Sequence, residues 1–246
     1  MKKILFAITF AAQFLVGTQA LAAPCVSATL TDYITLGSAG CTIGNFTFSN
    51  FGLLEQPTGS DPFTVVNVTP VAVGTTAVGL DFGVDARATS GMLLENLISY
   101  RVDGNGASLN GASLFFTGSS TDTGGEGAVT VVENLCIGGL FKGTDGVSGC
   151  STPQNLSVAN SLNSAYPEVS LTFVPVALLA VVTDIAIDGG QEGLGGFASL
   201  GSASNRFQIA AINAVPEPAA FLLVIAGLLA LYGSRATRFF RFSRRA

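Results

Sequence analysis

Carboxylates are the residues best placed to do chemistry in this chain. It contains no histidine, which removes Ser-His-Asp triads, Cys-His pairs and histidine-based metal sites. Two acid pairs remain, Asp81 with Asp85 and Asp184 with Asp188. Each lies in a strand-like stretch at a spacing of four, so a period of two puts both members on one face. Glycosidases work with two such carboxylates. The chain has no tryptophan to stack on a sugar and only 4 tyrosines, and acids on strand faces are ordinarily solvated. A carbohydrate-binding or carbohydrate-active protein using these pairs is therefore the alternative reading. The leading expectation is a non-enzymatic protein without a cofactor. Asp103, Asn105, Asp122 and Glu126 offer oxygen ligands of the kind calcium takes. Ala107 occupies the third ligand position of an EF-hand pattern and Gly106 comes too early, so turn chemistry is expected there and no metal site. Asn45, Asn67 and Asn155 each begin an Asn-x-Ser/Thr triplet, a short pattern of little weight.

The second reactive set is Cys25, Cys41, Cys136 and Cys150. An even number suits disulfides in an oxidising compartment. The absence of both C-x-x-C and histidine argues against zinc. Four cysteines allow three pairings. The local pairs Cys25–Cys41 and Cys136–Cys150 are expected, each closing a short loop and each adding about 3 kcal/mol in the chain-entropy account. The pairing of Cys25 with Cys150 and Cys41 with Cys136 stays open, because a sandwich permits it.

The elements that must position these groups read as β almost throughout. Strand candidates are 26–35, 41–51, 63–73 and 77–84. Ile98, Tyr100 and Val102 alternate with Ser99 and Arg101, the mark of a half-buried strand. Asp103 to Gly106 then reads as a tight turn. Further strands are expected at 114–117 and 129–137, followed by a Gly-rich stretch, 138–149, and a long polar loop over 151–167. The apolar run 169–187 contains Pro175, so two strands broken near Val174 are expected in place of a membrane helix. In the second, Val181, Thr183, Ile185 and Ile187 share one face, and Val182, Asp184, Ala186 and Asp188 the other. A last strand carries Phe207, Ile209 and Ala211. About ten short strands with Gly-rich turns predict an antiparallel β-sandwich, with a jelly-roll-like order among the options.

Charge narrows the partners. Between Ala23 and Ala214 the only basic residues are Arg87, Arg101, Lys142 and Arg206, against 15 acidic ones, a net charge of −11 where the whole chain has −5. Such a body repels nucleic acid and anionic lipid.

The two ends carry addresses. Lys2 and Lys3 precede an apolar stretch from Ile4 to Val16, and Ala20-Leu21-Ala22 gives the small-x-small pattern that signal peptidase cuts. Residues 1–22 are therefore expected to be a signal peptide. Pro24 stands directly before Cys25, where a lipidated cysteine needs a small residue, so lipidation is not expected. At the other end Val215, Pro216, Glu217 and Pro218 are followed by an uncharged apolar run from Ala219 to Tyr232 and then by Arg235, Arg238, Arg241, Arg244 and Arg245. Arginines on one flank only mark the side that stays in the cytoplasm. The apolar residues span roughly 21 Å as a helix, short of the roughly 30 Å bilayer core, with snorkelling arginines and local thinning to make up the difference.

This tail resembles the PEP-CTERM sorting signal of Gram-negative bacteria. The Pro-Glu-Pro triplet, the short apolar helix and the arginine cluster stand in that family's order. The resemblance covers about 215–245. The same kind of tail is also labelled an ice-binding protein C-terminal domain, which gives no reason to expect ice binding. The resemblance implies that the tail holds an exported protein in the inner membrane until exosortase, a membrane protease-transpeptidase, processes it near the triplet. It further implies delivery to the cell surface or matrix and an association with exopolysaccharide or biofilm. The Gly40–Gly44 and Phe46–Ser49 stretches also look similar to part of some exported proteins with such tails. The expected organisation is a signal peptide, a β-sandwich ectodomain over 23–212, a linker over 213–218, a membrane helix over 219–234 and a basic cytoplasmic tail over 235–246.

Overall fold

The computed structural model describes residues 22–121, 126–143, 145–161 and 164–211, with only the backbone of 164–166. Residues 1–21 of the expected signal peptide, the Pro-Glu-Pro linker, the apolar run, the arginine cluster and Asp122 lie outside the described residues. Contacts divide the chain after Ala210, and everything below concerns the first unit.

That unit is nearly all β. Its chain begins with β1 (Ala23–Pro24) and β2 (Ala28–Thr29), then one helical turn and a half, α1 (Leu30–Thr35). Next come β3 (Cys41–Ile43), β4 (Phe46–Leu53), β5 (Asn67–Val73), β6 (Ala77–Thr89), β7 (Leu93–Gly104) and β8 (Leu109–Thr117). After the short β9 (Ser120–Thr121) follow β10 (Ala128–Ile137), β11 (Pro153–Ser161), β12 (Ser164–Tyr166), β13 (Glu168–Val176), β14 (Leu178–Asp188) and β15 (Phe197–Ile209). One sheet has the order β1-β3-β4-β7-β14-β10-β11-β12, the other β13-β8-β15-β6-β5-β2 with β9 also on β15. Among the described strands only the β1–β3 pairing is parallel.

Alternation decides what each strand buries. In β7, Ile98, Tyr100 and Val102 are buried while Ser99 and Arg101 are partly exposed. In β14, Val181, Thr183, Ile185 and Ile187 face inward. The two inner faces meet in an aromatic cluster: Tyr100 of the first sheet lies 5.9 Å from Phe82 and 6.4 Å from Phe207 of the second, ring to ring. Such rings dominate core energetics because each removes roughly 150–250 Å² from water. The sandwich read from the sequence is thus present as two antiparallel-rich sheets closed over one core.

Two local readings need correction. The stretch 26–35 is not one strand, because Leu30–Thr35 is helical. Thr29 caps it: its Oγ accepts from the Asp32 amide at 3.2 Å, and the Asp32 carboxylate accepts from the Thr29 amide at 3.1 Å. This reciprocal capping box satisfies amides that a short helix otherwise leaves open. Hydrogen bonds to Thr29 hold the Asp32 carboxyl below its ordinary range. The polar segment 151–167 is not a loop. It forms β11, which buries Leu156 and Val158 and leaves Asn155 and Ser157 outside. The apolar run 169–187 divides into two strands next to Pro175, as expected, and its halves serve different sheets. Pro175 sits at the register shift between Thr172 and Val176, on an edge strand, where a missing amide donor is tolerated. Gly40, at φ 61°, admits the chain to β3, and a Cβ there would sit 2.2 Å from the Phe48 carbonyl oxygen.

Candidate functional site

The outer face of the eight-stranded sheet gathers most of the polar chemistry. Asp184 projects from it, next to β7, where Leu97 stands opposite Asp184 and Glu95 opposite Ala186. Asp184 and Glu95 are therefore diagonal neighbours, close enough for a side-chain hydrogen bond. Burial, then the Glu95 charge and that hydrogen bond, push the Asp184 carboxyl up to about 7. Two adjacent carboxyls cannot both ionise cheaply. Its Oδ1 is buried without a hydrogen-bond partner.

The expected pairing of Asp184 with Asp188 is not what the fold builds. Asp188 accepts from the Gly190 amide at 2.8 Å, and Glu95 is the acid that meets Asp184. The other expected pair is also divided. Asp81 forms an ion pair with Arg206 at 2.7 Å and accepts from the Ser204 hydroxyl. Asp85 sits at φ 42° where β6 and β15 slip register. Of the residues weighed as calcium ligands, Asp103 is held by Arg101 at 2.6 Å, and the Asn105 side-chain Nδ2 donates to the Thr47 hydroxyl at 2.9 Å. No group of three metal-binding side chains forms among the described residues.

The cysteines pair locally, Cys25 with Cys41 and Cys136 with Cys150, at Cα separations of 4.8 and 5.6 Å. The cross pairing is thereby excluded. The second bridge has a consequence for the surface. Cys136 stands on the side of β10 away from the core, so the loop it closes, 138–150, is drawn over the outer face. Inside that loop the Lys142 amide donates to the Ser148 carbonyl at 3.1 Å. Asp145 accepts from the amides of Ser148 and Val147 at 2.9 and 3.1 Å, and these bonds, with the Ser148 side chain, hold its carboxyl below the usual range. Gly146, at φ 74°, packs so closely on Leu54 that a Cβ would lie 2.0 Å from Leu54 Cδ1.

Between this loop and the sheet lies a cavity of about 300 Å³, within the range of small-ligand sites. Leu54, Phe141 and Val182 supply apolar walls; Asn50, Ser99 and Arg101 supply polar ones. Arg101 enters because it alternates with buried Tyr100 and Val102. Its Nε is buried and has no hydrogen-bond partner.

A second polar cluster is internal. The Asn205 amide donates to the Tyr100 hydroxyl at 2.7 Å and the Thr183 hydroxyl at 2.6 Å. Glu133, opposite Thr183, is fully buried, and neither carboxyl oxygen has a hydrogen-bond partner. Burial alone pushes its carboxyl well above the carboxylate range. Burial, then the Glu133 charge, also raises the Tyr100 hydroxyl, against the hydrogen bonds from Asn205 and Thr183 and the charge of Arg206.

Sequence reasoning missed Glu95, Glu133 and the cavity. Alternation places Arg101 outward, and Glu95 follows from the same count. The Leu54–Gly146 contact joins distant segments and leaves no local pattern.

No family model matches the chain, and no curated protein matches it. Among solved structures, TmCBM61 in complex with beta-1,4-galactotriose is similar at 12% identity and a TM-score of 0.27, over 60% of this chain and 90% of that one. A likeness of this extent assigns neither fold nor ligand to the present chain.

Proposed function

We propose that this chain is an exported, non-enzymatic protein of a Gram-negative cell surface or matrix, sorted through its C-terminal signal and associated with exopolysaccharide. The observation that carries the reading is the state of the cysteines: all four are bridged, which suits an oxidising compartment outside the cytoplasm. The sequence at both ends supports it. Signal peptidase would release the body after Ala22, the inner membrane would hold the apolar run, and exosortase would act near Pro216-Glu217-Pro218.

Cell fractionation tests the sorting. Deleting residues 219–246 is expected to release the body into the periplasm or medium. Glu217→Ala is expected to leave it membrane-bound and unprocessed. Recovery of the wild-type chain from the cytoplasm would refute the export reading.

A further inference from the structure

We propose that β13 is the contact strand of a dimer, in which the free edges of two copies of this chain pair antiparallel about a twofold axis at Leu171. The proposal stands on the sheet edges and does not depend on the export reading.

β13 (Glu168–Val176) is the outermost strand of its sheet. One side of its backbone is open. The Phe116 amide donates to the Pro167 carbonyl at 3.2 Å, which turns Pro167 toward β8. Directions alternate along an antiparallel pair. Val169 and Leu171 therefore also face β8, while Glu168, Ser170 and Thr172 turn their N–H and C=O groups away. No strand among the described residues pairs with that side. The other three sheet edges are blunted. β1 and β2 have two residues each and β12 has three. Inside β2, β5 carries Pro70; inside β12, β11 exposes Gln154 and Asn155. Short strands, proline and polar edges are the usual means of preventing edge-to-edge association. β13 has nine residues, no charge from Val169 to Val176, and mostly β-branched or aromatic side chains. Its own proline, Pro175, lies past Thr172 in the bulge and leaves the stretch before it open.

The side chains name the occupant. Val169, Leu171 and Phe173 lie against the core but stay half-buried, because the sheet stops beside them. Next to Phe173 and Val176 the sandwich leaves a hollow of about 410 Å³, and Val174 is 80% exposed. An uncharged edge offers nothing to a charged partner, whereas an uncharged extended strand fits it, and β13 is itself such a strand. With Leu171 on the axis, the pairing is in register with itself. Leu171 meets Leu171, Val169 of one copy meets Phe173 of the other, and Ser170 meets Thr172. Ser170 and Thr172 are the residues with open backbone groups, so they exchange both hydrogen bonds across the axis. The apolar pairs then continue the inner face and the hydroxyl pairs the outer one. About seven paired residues a side is less than the roughly 20–30 of a standard interface, so the dimer is weak, with a Kd on the order of micromolar. The net charge of −11 between Ala23 and Ala214 on each copy weakens it further.

Sedimentation velocity of the full chain in mild detergent, from about 1 to about 200 μM, tests this. The wild type is expected to dimerise over that range, and more tightly at higher salt, because screening removes the repulsion between acidic bodies. Thr172→Pro removes an outward N–H and leaves the bonds to β8 in place. It should weaken the dimer by at least about tenfold and leave the melting temperature little changed. Leu171→Cys should link two copies by a disulfide, because opposed residues of a non-hydrogen-bonded pair hold their Cα atoms about 4.5 Å apart. Val73→Cys, at a 50% exposed position on β5, should not. The cysteine readout stands even if Thr172→Pro fails to fold. A wild type that is monomeric throughout, a dimer that Thr172→Pro leaves intact, or a Leu171→Cys chain that stays unlinked overturns the assignment. So does slow hydrogen exchange at the Ser170 and Thr172 amides of a monomer, which would put another part of the same chain on this edge.

Discussion

Replacing all four cysteines with serine is expected to lower the stability of the body by about 6 kcal/mol, roughly 3 kcal/mol for each loop closed. The bridges span 16 and 14 residues, so neither dominates. Domains of this kind have about 5–15 kcal/mol in total, so the fully substituted protein should unfold in low denaturant. The two pairs should differ in what they loosen. Cys25–Cys41 ties β1, only two residues long, to β3. Without it the chain start should fray, and the Tyr33 hydroxyl should lose its bond to the Val26 carbonyl. Cys136–Cys150 lies at the end of β10, so its loss should free the cavity roof and leave the sheet register intact. Urea unfolding of each double variant, with hydrogen exchange to locate the loss, checks both statements. Unchanged midpoints under strong reductant would contradict them.

Removing the buried acid should act in the opposite direction. Glu133→Met is expected to stabilise the protein by about 1–3 kcal/mol at pH 8, because an unpartnered polar group leaves the core and a side chain of similar volume replaces it. The gain should shrink at low pH. Glu133 is raised above its ordinary value of 4.5, so the folded state keeps a proton that the unfolded state releases. Its contribution is favourable below about pH 4.5 and is lost as pH rises toward the folded value. Asp184 has the same sign over a window from its ordinary 3.8 up to about 7. Wild-type stability should therefore decline between pH 4 and pH 7, and Asp184→Asn should flatten that decline. Thermal melts from pH 4 to pH 8 read both effects. A wild type that gains stability over this range, or a Glu133→Met protein that loses it at pH 8, would contradict the assignment.

The inner and outer faces of β7 and β14 were legible because period two is a local property. Ile98, Tyr100 and Val102 separate from Ser99 and Arg101 by simple alternation, as Val181 to Ile187 separate from Asp184 and Asp188. The local disulfides were legible for a similar reason, since loop closure depends on spacing. The α1 turn carried a local signal, Thr29 followed three residues later by Asp32, but the β-branched residues around it fit a strand equally well. β11 was hidden because it buries only Leu156 and Val158 while Asn155, Ser157 and Asn160 give it the composition of a loop. The acid pair failed for another reason. Spacing along one strand shows which residues share a face, but the neighbour that touches Asp184 comes from β7, and cross-strand register is set by the whole sheet. The cavity required still more, a loop from the middle of the chain settling on Leu54.

The claim that this is an exported and sorted protein is tested most directly at its two ends. Mass spectrometry of the chain from its native cells, with and without exosortase, gives the mature termini and the state of the thiols in one measurement. The account predicts an N-terminus at Ala23 and no free thiol in both strains, with a C-terminus near Pro218 in the wild type and at Ala246 without exosortase. A chain running intact from Met1 to Ala246 in both strains, with free cysteines, would contradict it.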